Sequence, residues 1–197
     1  MNKKTDYDSI NIKVENVFID FMRSFFTSNA RYPWLEDHVH TKIFIEECHP
    51  VDTSRVKDHP ALLVEVGNVA FRNGHIDQLA DWQWVSKKRP EIMVKKFADF
   101  IIMNLAFHCV SREGLEARDL AFKVMTALTA NRPYLRSSGI VDVAVPQMMP
   151  DNPLSEDLFL STVITSCWAM AEWDWQPKQG PLWNKTKVDT PSGSGIL

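Results

Sequence analysis

The apolar residues near the start of the chain repeat with the period of an α-helix. They stand at the intervals i, i+4, i+7, i+8, i+11 and i+15, as Ile10, Val14, Val17, Phe18, Phe21 and Phe25. This spacing places them on one helical face. Asp8 or Ser9 can cap the first turn, and Asn29 and Pro33 end the pattern. The segment therefore predicts an amphipathic first helix.

A second helical pattern follows residue 111. Ser111 can act as its N-cap, and Glu113 stands in the first turn, where negative charge favours the helix dipole. Asn131, Arg132 and Pro133 are predicted to terminate this helix. The apolar face that the pattern predicts consists of Ala117, Leu120, Ala121, Val124, Met125 and Leu128.

Two segments between these helices read as strands. In residues 41–47, Ile43 and Ile45 alternate with polar neighbours and predict a short strand with one buried face. Residues 61–71 are rich in β-forming side chains, and Gly67 in their middle predicts a bulge or bend. The proline-bounded segment 49–60 between them predicts a loop.

Three further segments predict the rest of a sheet. Residues 97–110 are apolar at nearly every position, which favours a central strand buried on both sides. Residues 139–145 alternate valine with Asp142 and Ala144, so Val141, Val143 and Val145 should share one face. Residues 146–153 hold three prolines and predict a loop, and residues 157–177 favour a long strand.

Two regions stand outside this simple order of elements. Residues 75–96 fit either two strands or a loop with a short helix, and we interpret 73–96 as an inserted loop or hairpin. Residues 178–197 are too polar to form a core and predict an extended C-terminal arm, either disordered or ordered against a neighbour. We therefore expect one domain at residues 1–177. Its expected fold is α+β, a mixed or mainly antiparallel sheet with two helices packed on it.

The composition argues for protein contacts more than for nucleic-acid binding. The 197 residues carry a net charge of −3, whereas phosphate binding needs clustered positive charge. Seven tryptophans and eleven phenylalanines are an aromatic surplus of a kind enriched at protein interfaces. The three separated cysteines predict no disulfide framework, and the start of the sequence lacks a signal-peptide pattern. Candidate protein-interface residues are Trp82, Trp84, Lys87, Lys88, Arg89, Trp173, Trp175 and Trp183.

The sequence predicts no catalytic residue, cofactor site or metal site. His38 and His40 would share a face in a strand, but the carboxylate and glycines of a cupin-type site are missing beside them. Cys48–His49 and His108–Cys109 could each pair a nucleophile with a base, but neighbouring residues in an extended chain point to opposite faces. Glycine-rich phosphate loops, GxSxG and HExxH are not found either. We therefore expect a protein that is not an enzyme.

The order of the predicted elements resembles that of a family of bacteriophage proteins. An amphipathic helix, a short strand, a long β-rich run, an apolar strand leading directly into a second helix and two closing strands cover most of residues 9–175. The layout is similar to the tail terminator and head–tail joining (neck) proteins of long-tailed phages. The segments that carry the resemblance are SINIKVENVFIDFMRSFF, ALLVEVGNVAF, FADFIIMNLAFHCVSREGLEARDLAFKVMTAL, GIVDVAV and DLFLSTVITSCWAMAEWDW.

The resemblance implies a structural role in the virion. Proteins of this family form an oligomeric ring, commonly of six copies, that ends the tail tube and joins it to the head connector. The implied partners are further copies of the chain, the tail tube protein and neck proteins, with DNA passing through the channel as a further contact. No membrane is implied, and assembly would take place in the host cytoplasm. Two alternatives stay open, a small cytoplasmic hydrolase that uses Cys or a His-bound metal, and an adaptor for a small ligand or an acidic protein.

Overall fold

The computed structural model describes residues 10–37, 39–48, 60–71, 79–84, 93–150, 152–155, 157–175 and 186–187. Three helices lie in this part of the chain: α1 (Ile10–Thr27), α2 (Gly114–Ala130) and α3 (Arg132–Ser137). The described residues also form nine strands: β1 (Phe44–Glu47), β2 (Ala61–Phe71), β3 (Leu79–Trp84), β4 (Met93–Ser111), β5 (Ile140–Val143), β6 (Gln147–Met148), β7 (Asn152–Ser155), β8 (Leu158–Trp175) and β9 (Thr186–Lys187).

All nine described strands belong to one sheet. Its main path runs β1-β2-β4-β8-β5, while β3 pairs with β4, and β6, β7 and β9 pair with β8. The β1–β2 pair is parallel and every other pair is antiparallel. The two longest strands, β4 and β8, pair from Lys95–Trp175 to Ser111–Phe159 without a shift in register. The expected α+β class with a mainly antiparallel sheet is confirmed.

The helices cover one face of this sheet. Buried side chains alternate along β4 at Ile101, Met103, Leu105, Phe107 and Cys109, and each of them belongs to the main core. Because side chains alternate between faces along a strand, the intervening residues point to the opposite side. We call that side the open face. Its side chains on the two central strands are Phe100, Ile102, Asn104, Ala106 and His108 of β4, and Leu160, Thr162, Ile164, Ser166, Trp168 and Met170 of β8.

Helix α1 is held to the sheet by its aromatic residues. Phe18 packs edge-to-face on Phe107 of β4 with ring centroids 5.8 Å apart, and both side chains are fully buried. Of the predicted face, Ile10, Val14, Phe18 and Phe21 are buried, and Val17 and Phe25 pack at the margin of the core. The prediction did not name three further buried residues, Ile19, Met22 and Phe26. The predicted first helix is therefore correct. Its capping residues Asp8 and Ser9 lie outside the described residues.

The first two strands also follow the sequence pattern. Ile43 and Ile45 are buried at the start of the sheet, and β2 covers the predicted segment 61–71. The β2–β4 register shifts between Val66 and Val69, next to Gly67. Glycine favours such a bulge because it has no side chain to pack. The predicted bulge is confirmed.

The predicted central strand is central but is not buried on both sides. Strand β4 lies between β2 and β8, yet Phe100 and Asn104 on the open face are exposed. The open face of β4 is therefore only partly accessible, because Val110 near the end of the strand is buried there in a second, smaller cluster with Ala61, Leu63 and Leu158. The predicted alternation in residues 139–145 is also wrong. A register shift between Ile140 and Asp142 turns Ile140 and Val143 into the core and leaves Val141 and Val145 exposed.

Two further predictions about loops and helix ends need correction. Residues 146–153 include β6 and the start of β7, because the long strand β8 supplies hydrogen-bonding partners to its neighbours. Helix α2 begins at Gly114 after Glu113, so Ser111 ends β4 and does not cap the helix. The predicted end of α2 is confirmed, since the helix stops at Ala130 with Asn131 as its C-cap. Pro133 then stands in the first turn of a further helix, α3, where the missing N–H of proline costs no intrahelical hydrogen bond. The sheet thus carries three helices where two were expected.

The ambiguous segment contains two strands. Strand β3 pairs antiparallel with the start of β4, which agrees with a hairpin within 73–96, although its connecting residues 85–92 lie outside the described part. In the predicted C-terminal arm, Thr186 and Lys187 form β9 and pair with Trp173 and Glu172 of β8. The domain boundaries at 1–177 and 178–197 stay predictions.

One buried hydroxyl joins the segment after α1 to α2. Tyr32 is buried and its Oη donates a hydrogen bond to Asp119 Oδ2 at 3.1 Å. Burial, and then this bond, raise the pKa of the Tyr32 phenol well above its usual value. We expect Tyr32→Phe to lower the free energy of unfolding by about 1–2 kcal/mol, since the acceptor is charged. Urea denaturation measures this loss. Tyr134→Phe, at a half-exposed ring, is the control. Equal losses in the two variants would contradict a stabilising role of the Tyr32–Asp119 hydrogen bond.

Candidate functional site

A small group of polar side chains lies in the middle of the open face. Cys48 follows β1, Glu65 belongs to β2, and His108 belongs to β4. The parallel β1–β2 register continues to Cys48, whose N–H donates to the Val64 carbonyl at 2.9 Å. The β2–β4 register then places His108 opposite Leu63, next to Glu65. Three strands therefore bring together residues that are distant in the sequence.

The three ligand-type atoms of this group all lie within 4.8 Å of one another. His108 Nε2 is 2.9 Å from Glu65 Oε2, and His108 Nδ1 is 3.1 Å from Thr162 Oγ1 on β8. Both nitrogens of the imidazole are thus held by neighbours from two different strands. We name Cys48, Glu65 and His108 the open-face triad.

The environment of Cys48 does not favour a thiolate. Burial raises the pKa of its thiol, and the carboxylates of Glu65 and Glu15 raise it further. Reactive cysteines instead have a lowered pKa, provided by nearby positive charge or a helix N-terminus. The thiol of Cys48 therefore stays protonated at neutral pH.

A groove continues from Glu65 along the open face. It encloses about 480 Å³ and is floored by Asn104 and Ala106, and the β5–β6 segment forms one wall with Val145. Ser166 donates a hydrogen bond to Asn104 Oδ1 at 2.9 Å in its floor. The groove is polar in the centre and has an exposed apolar side chain, Ile164, beside it.

Two apolar patches lie on opposite sides of the molecule. On the open face, Phe100 and Met170 are opposite each other in the β4–β8 ladder, and together with Ile164 they are 37–43% exposed. On the outer side of α2, Leu115 is 80% and Phe122 is 57% exposed. We call these the sheet patch (Phe100, Ile164 and Met170) and the helix patch (Leu115 and Phe122).

The predicted interface residues are only partly within the described chain. Trp82 lies opposite Lys95, and Lys95 lies opposite Trp175 on the other side of β4. Trp84 is paired with Met93, and Trp173 with Phe97. The sheet thus brings four of the candidate tryptophans to neighbouring register positions at one end of β4. The other four candidates, Lys87, Lys88, Arg89 and Trp183, lie outside the described residues.

The histidines and cysteines that are neighbours in the sequence are not the ones that meet in the open-face triad. His40 lies in an exposed turn 2.6 Å from Asp37, while His38 and His49 lie outside the described part. Cys109 points into the core, away from His108, as the alternation of a strand requires. Cys48 instead meets a histidine 60 positions later in the chain. Glu65, the third member of the triad, was missed because a single acidic residue matches no spacing motif.

The sequence matches none of the family models and none of the curated proteins with which it was compared. In the described part of the chain, the helices lack the combination of length and apolar composition that a membrane crossing requires.

Proposed function

We propose that this chain is a structural virion protein that forms an oligomeric ring at the head–tail junction of a long-tailed bacteriophage. The observation that carries the proposal is the open face of the sheet. Its apolar residues Phe100, Ile164 and Met170 are 37–43% exposed. Exposed apolar groups that form a contiguous patch mark surfaces for other proteins.

A second copy of this chain is the partner that fits the sheet patch best. The helix patch, with Leu115 and Phe122, lies on the other side of the molecule from the sheet patch. The sheet patch of one copy can therefore bind the helix patch of the next copy. Such a head-to-tail contact closes into a ring when the rotation per copy divides a full turn.

The two patches also suit the composition of obligate interfaces. Phe and Met are enriched in interface centres, and contacts of this type bury large, relatively apolar areas. Asn104 and Ser166 lie between Ile164 and the Phe100–Met170 pair and add a hydrogen-bonded polar pair to this surface. A ring contact here would thus combine apolar and polar groups.

The resemblance in element order supports placing the ring at the head–tail junction. It implies a ring of about six copies that stops growth of the tail tube and binds the head connector. The tail tube protein and neck proteins are then the further partners. The tryptophans at the end of β4, among them Trp82 and Trp175, are candidates for these further contacts because tryptophan is frequent at interface hot spots.

Tube growth in vitro tests this function. Purified tail tube protein from the same virus is polymerised with and without the chain, and tube lengths are measured by electron microscopy. We expect the tubes to be shorter when the chain is present, and each tube to end in a ring on one side. Tubes of unchanged length without end rings would contradict the proposal. A chain carrying Val39→Glu, at an exposed loop position away from both patches, serves as the matched control.

A small Cys- or His/metal-based hydrolase is the second candidate. The open-face triad favours it, since a thiol, an imidazole and a carboxylate lie close together. Against it stands the raised pKa of the Cys48 thiol, which leaves little thiolate for attack. Hydrolysis of model esters or peptides that is lost on Cys48→Ala would favour this candidate over the ring.

A further inference from the structure

Three different metal-binding groups meet in the open-face triad. Cys48 offers a sulfur, Glu65 a carboxylate oxygen and His108 a ring nitrogen, all within 4.8 Å of one another. Calcium and magnesium prefer oxygen ligands alone, whereas a mixed sulfur, nitrogen and oxygen set suits zinc. We propose that the open-face triad binds one zinc ion, with Cys48, Glu65 and His108 as its three protein ligands.

The spacing of the triad needs only a small adjustment to hold zinc. Tetrahedral zinc with bond lengths of about 2.0–2.3 Å keeps its ligand atoms roughly 3.3–3.8 Å apart. The His108–Glu65 distance of 2.9 Å must open slightly, and the longest distance in the triad, at most 4.8 Å, must close. The Glu65 side chain is half exposed and can rotate. Water takes the fourth position.

Thr162 prepares His108 for this role. Its hydroxyl lies 3.1 Å from His108 Nδ1 and can accept the hydrogen bond from the Nδ1–H group. The contact of Nε2 with the Glu65 carboxylate needs a hydrogen on Nε2, and the zinc ion must displace it. When the ring hydrogen is on Nδ1 and is donated to Thr162, the lone pair of Nε2 is left for the ion. Metal-bound histidines are commonly held in this way by a hydrogen-bond acceptor on the other nitrogen. Thr162 is therefore a positioning residue in the proposed site.

The charges of the ligands also match zinc. A bound zinc ion stabilises the thiolate of Cys48 and releases its proton. The Cys48 thiolate and the Glu65 carboxylate together then neutralise the two positive charges of the ion.

Coordination would fasten the end of β1 to the central strand. Cys48 follows the four-residue edge strand β1, and the Cys48 N–H donates to the Val64 carbonyl of β2. A bond from Cys48 through zinc to His108 crosses β2 and reaches β4. This role is structural, and it is independent of ring formation.

Metal content and cobalt spectroscopy of the full-length protein test the proposal. The protein is stripped with a chelator, dialysed and titrated with Zn²⁺ or Co²⁺. We expect one ion per chain and, with Co²⁺, an intense sulfur-to-cobalt charge-transfer band. Cys48→Ser should abolish that band, and His108→Gln should weaken zinc binding by more than tenfold. Thr162→Val should weaken it by about 10–100-fold.

Two exposed variants serve as matched controls. His40→Gln and Glu47→Gln remove the same chemical groups at exposed positions outside the triad, and both should bind zinc like the unmodified chain. Zinc should also raise the midpoint of thermal unfolding of the unmodified chain and of both controls, but not of Cys48→Ser. Variants are compared only after circular dichroism shows native content.

A chain that retains no zinc above the level of Cys48→Ser overturns the proposal. So does a cobalt complex without the sulfur band, or zinc binding that survives both Cys48→Ser and His108→Gln. Since none of these readouts depends on subunit contacts, their failure would leave ring formation to be judged by its own experiments.

Discussion

Met170→Glu should prevent subunits from closing into a ring while leaving each subunit folded. Met170 is 43% exposed in the sheet patch, so a glutamate is solvated in the isolated subunit. In the proposed contact it would lie against Leu115 and Phe122 of the next copy and lose its water. An unpaired carboxylate in such a place costs several kcal/mol, which weakens each contact by roughly 100-fold or more. Sedimentation velocity measures the loss as a change from ring to monomer.

Phe122→Glu tests the other half of the same contact. Phe122 lies in the helix patch, and we expect this variant to be monomeric as well. Each variant keeps one intact patch, so a mixture of Met170→Glu and Phe122→Glu should form heterodimers and nothing larger. This outcome is specific to a head-to-tail contact. Val39→Glu is the matched control, because it adds the same charge at an exposed position outside both patches.

Several results would contradict this arrangement. Rings of unchanged size in both variants would show that neither patch is used. A ring lost with Met170→Glu but kept with Phe122→Glu would place the contact on the open face without the helix patch. Variants that lose cooperative unfolding are not informative on the contact, and circular dichroism and urea denaturation identify them beforehand.

Phe107→Ala should produce the largest loss of stability among single core substitutions. Phe107 is fully buried in the middle of β4 and packs on Phe18 of α1 at 5.8 Å. Removing a buried phenylalanine side chain costs about 3–5 kcal/mol through lost burial and the remaining cavity. Urea denaturation should therefore show a midpoint shift with an almost unchanged slope. Phe122→Ala on the surface of α2 is the control and should change stability by less than about 1 kcal/mol.

A double-mutant cycle then isolates the aromatic contact. Phe18→Ala alone should cost a similar amount, and the double variant should cost less than the sum of the two. The expected coupling is about 0.5–1.5 kcal/mol, the range for edge-to-face aromatic pairs. Additive losses would mean that the two rings contribute independently, and the packing of α1 on β4 would then need a different explanation.

The elements with a clear period could be predicted from the sequence. Helix α1 follows from the spacing of residues such as Val14 and Phe18, and the bulge in β2 follows from Gly67. Both signals are local, because they depend on neighbours within a few residues. The α+β class follows from the order of these elements.

The failures occur where distant parts of the chain decide the structure. The proline-rich residues 146–153 form short strands because β8 is long enough to pair with them, and this length is not visible in the segment itself. The valine alternation in 139–145 fails at a register shift that depends on the partner strand. The apolar composition of β4 does not distinguish a strand buried on both sides from one that leaves Phe100 and Asn104 exposed.

The open-face triad could not be predicted for the same reason. Cys48, Glu65 and His108 come from three strands, and only the registers of β1, β2 and β4 bring them together. Weak signals did exist. Glu65 is a charged residue between Val64 and Val66, and His108 interrupts an apolar run. Once the strand pairing is known, polar residues at the centre of otherwise apolar strands should therefore be compared across neighbouring strands as candidate sites.

The central claim is that the exposed apolar surfaces of this chain bind further copies of itself. Native mass spectrometry of the purified protein, alone and with tail tube protein, tests that claim most directly. We predict a single closed species with a fixed number of copies, close to six, that does not grow with concentration. A chain that stays monomeric under both conditions, at concentrations well above those in an assembling cell, would contradict the claim.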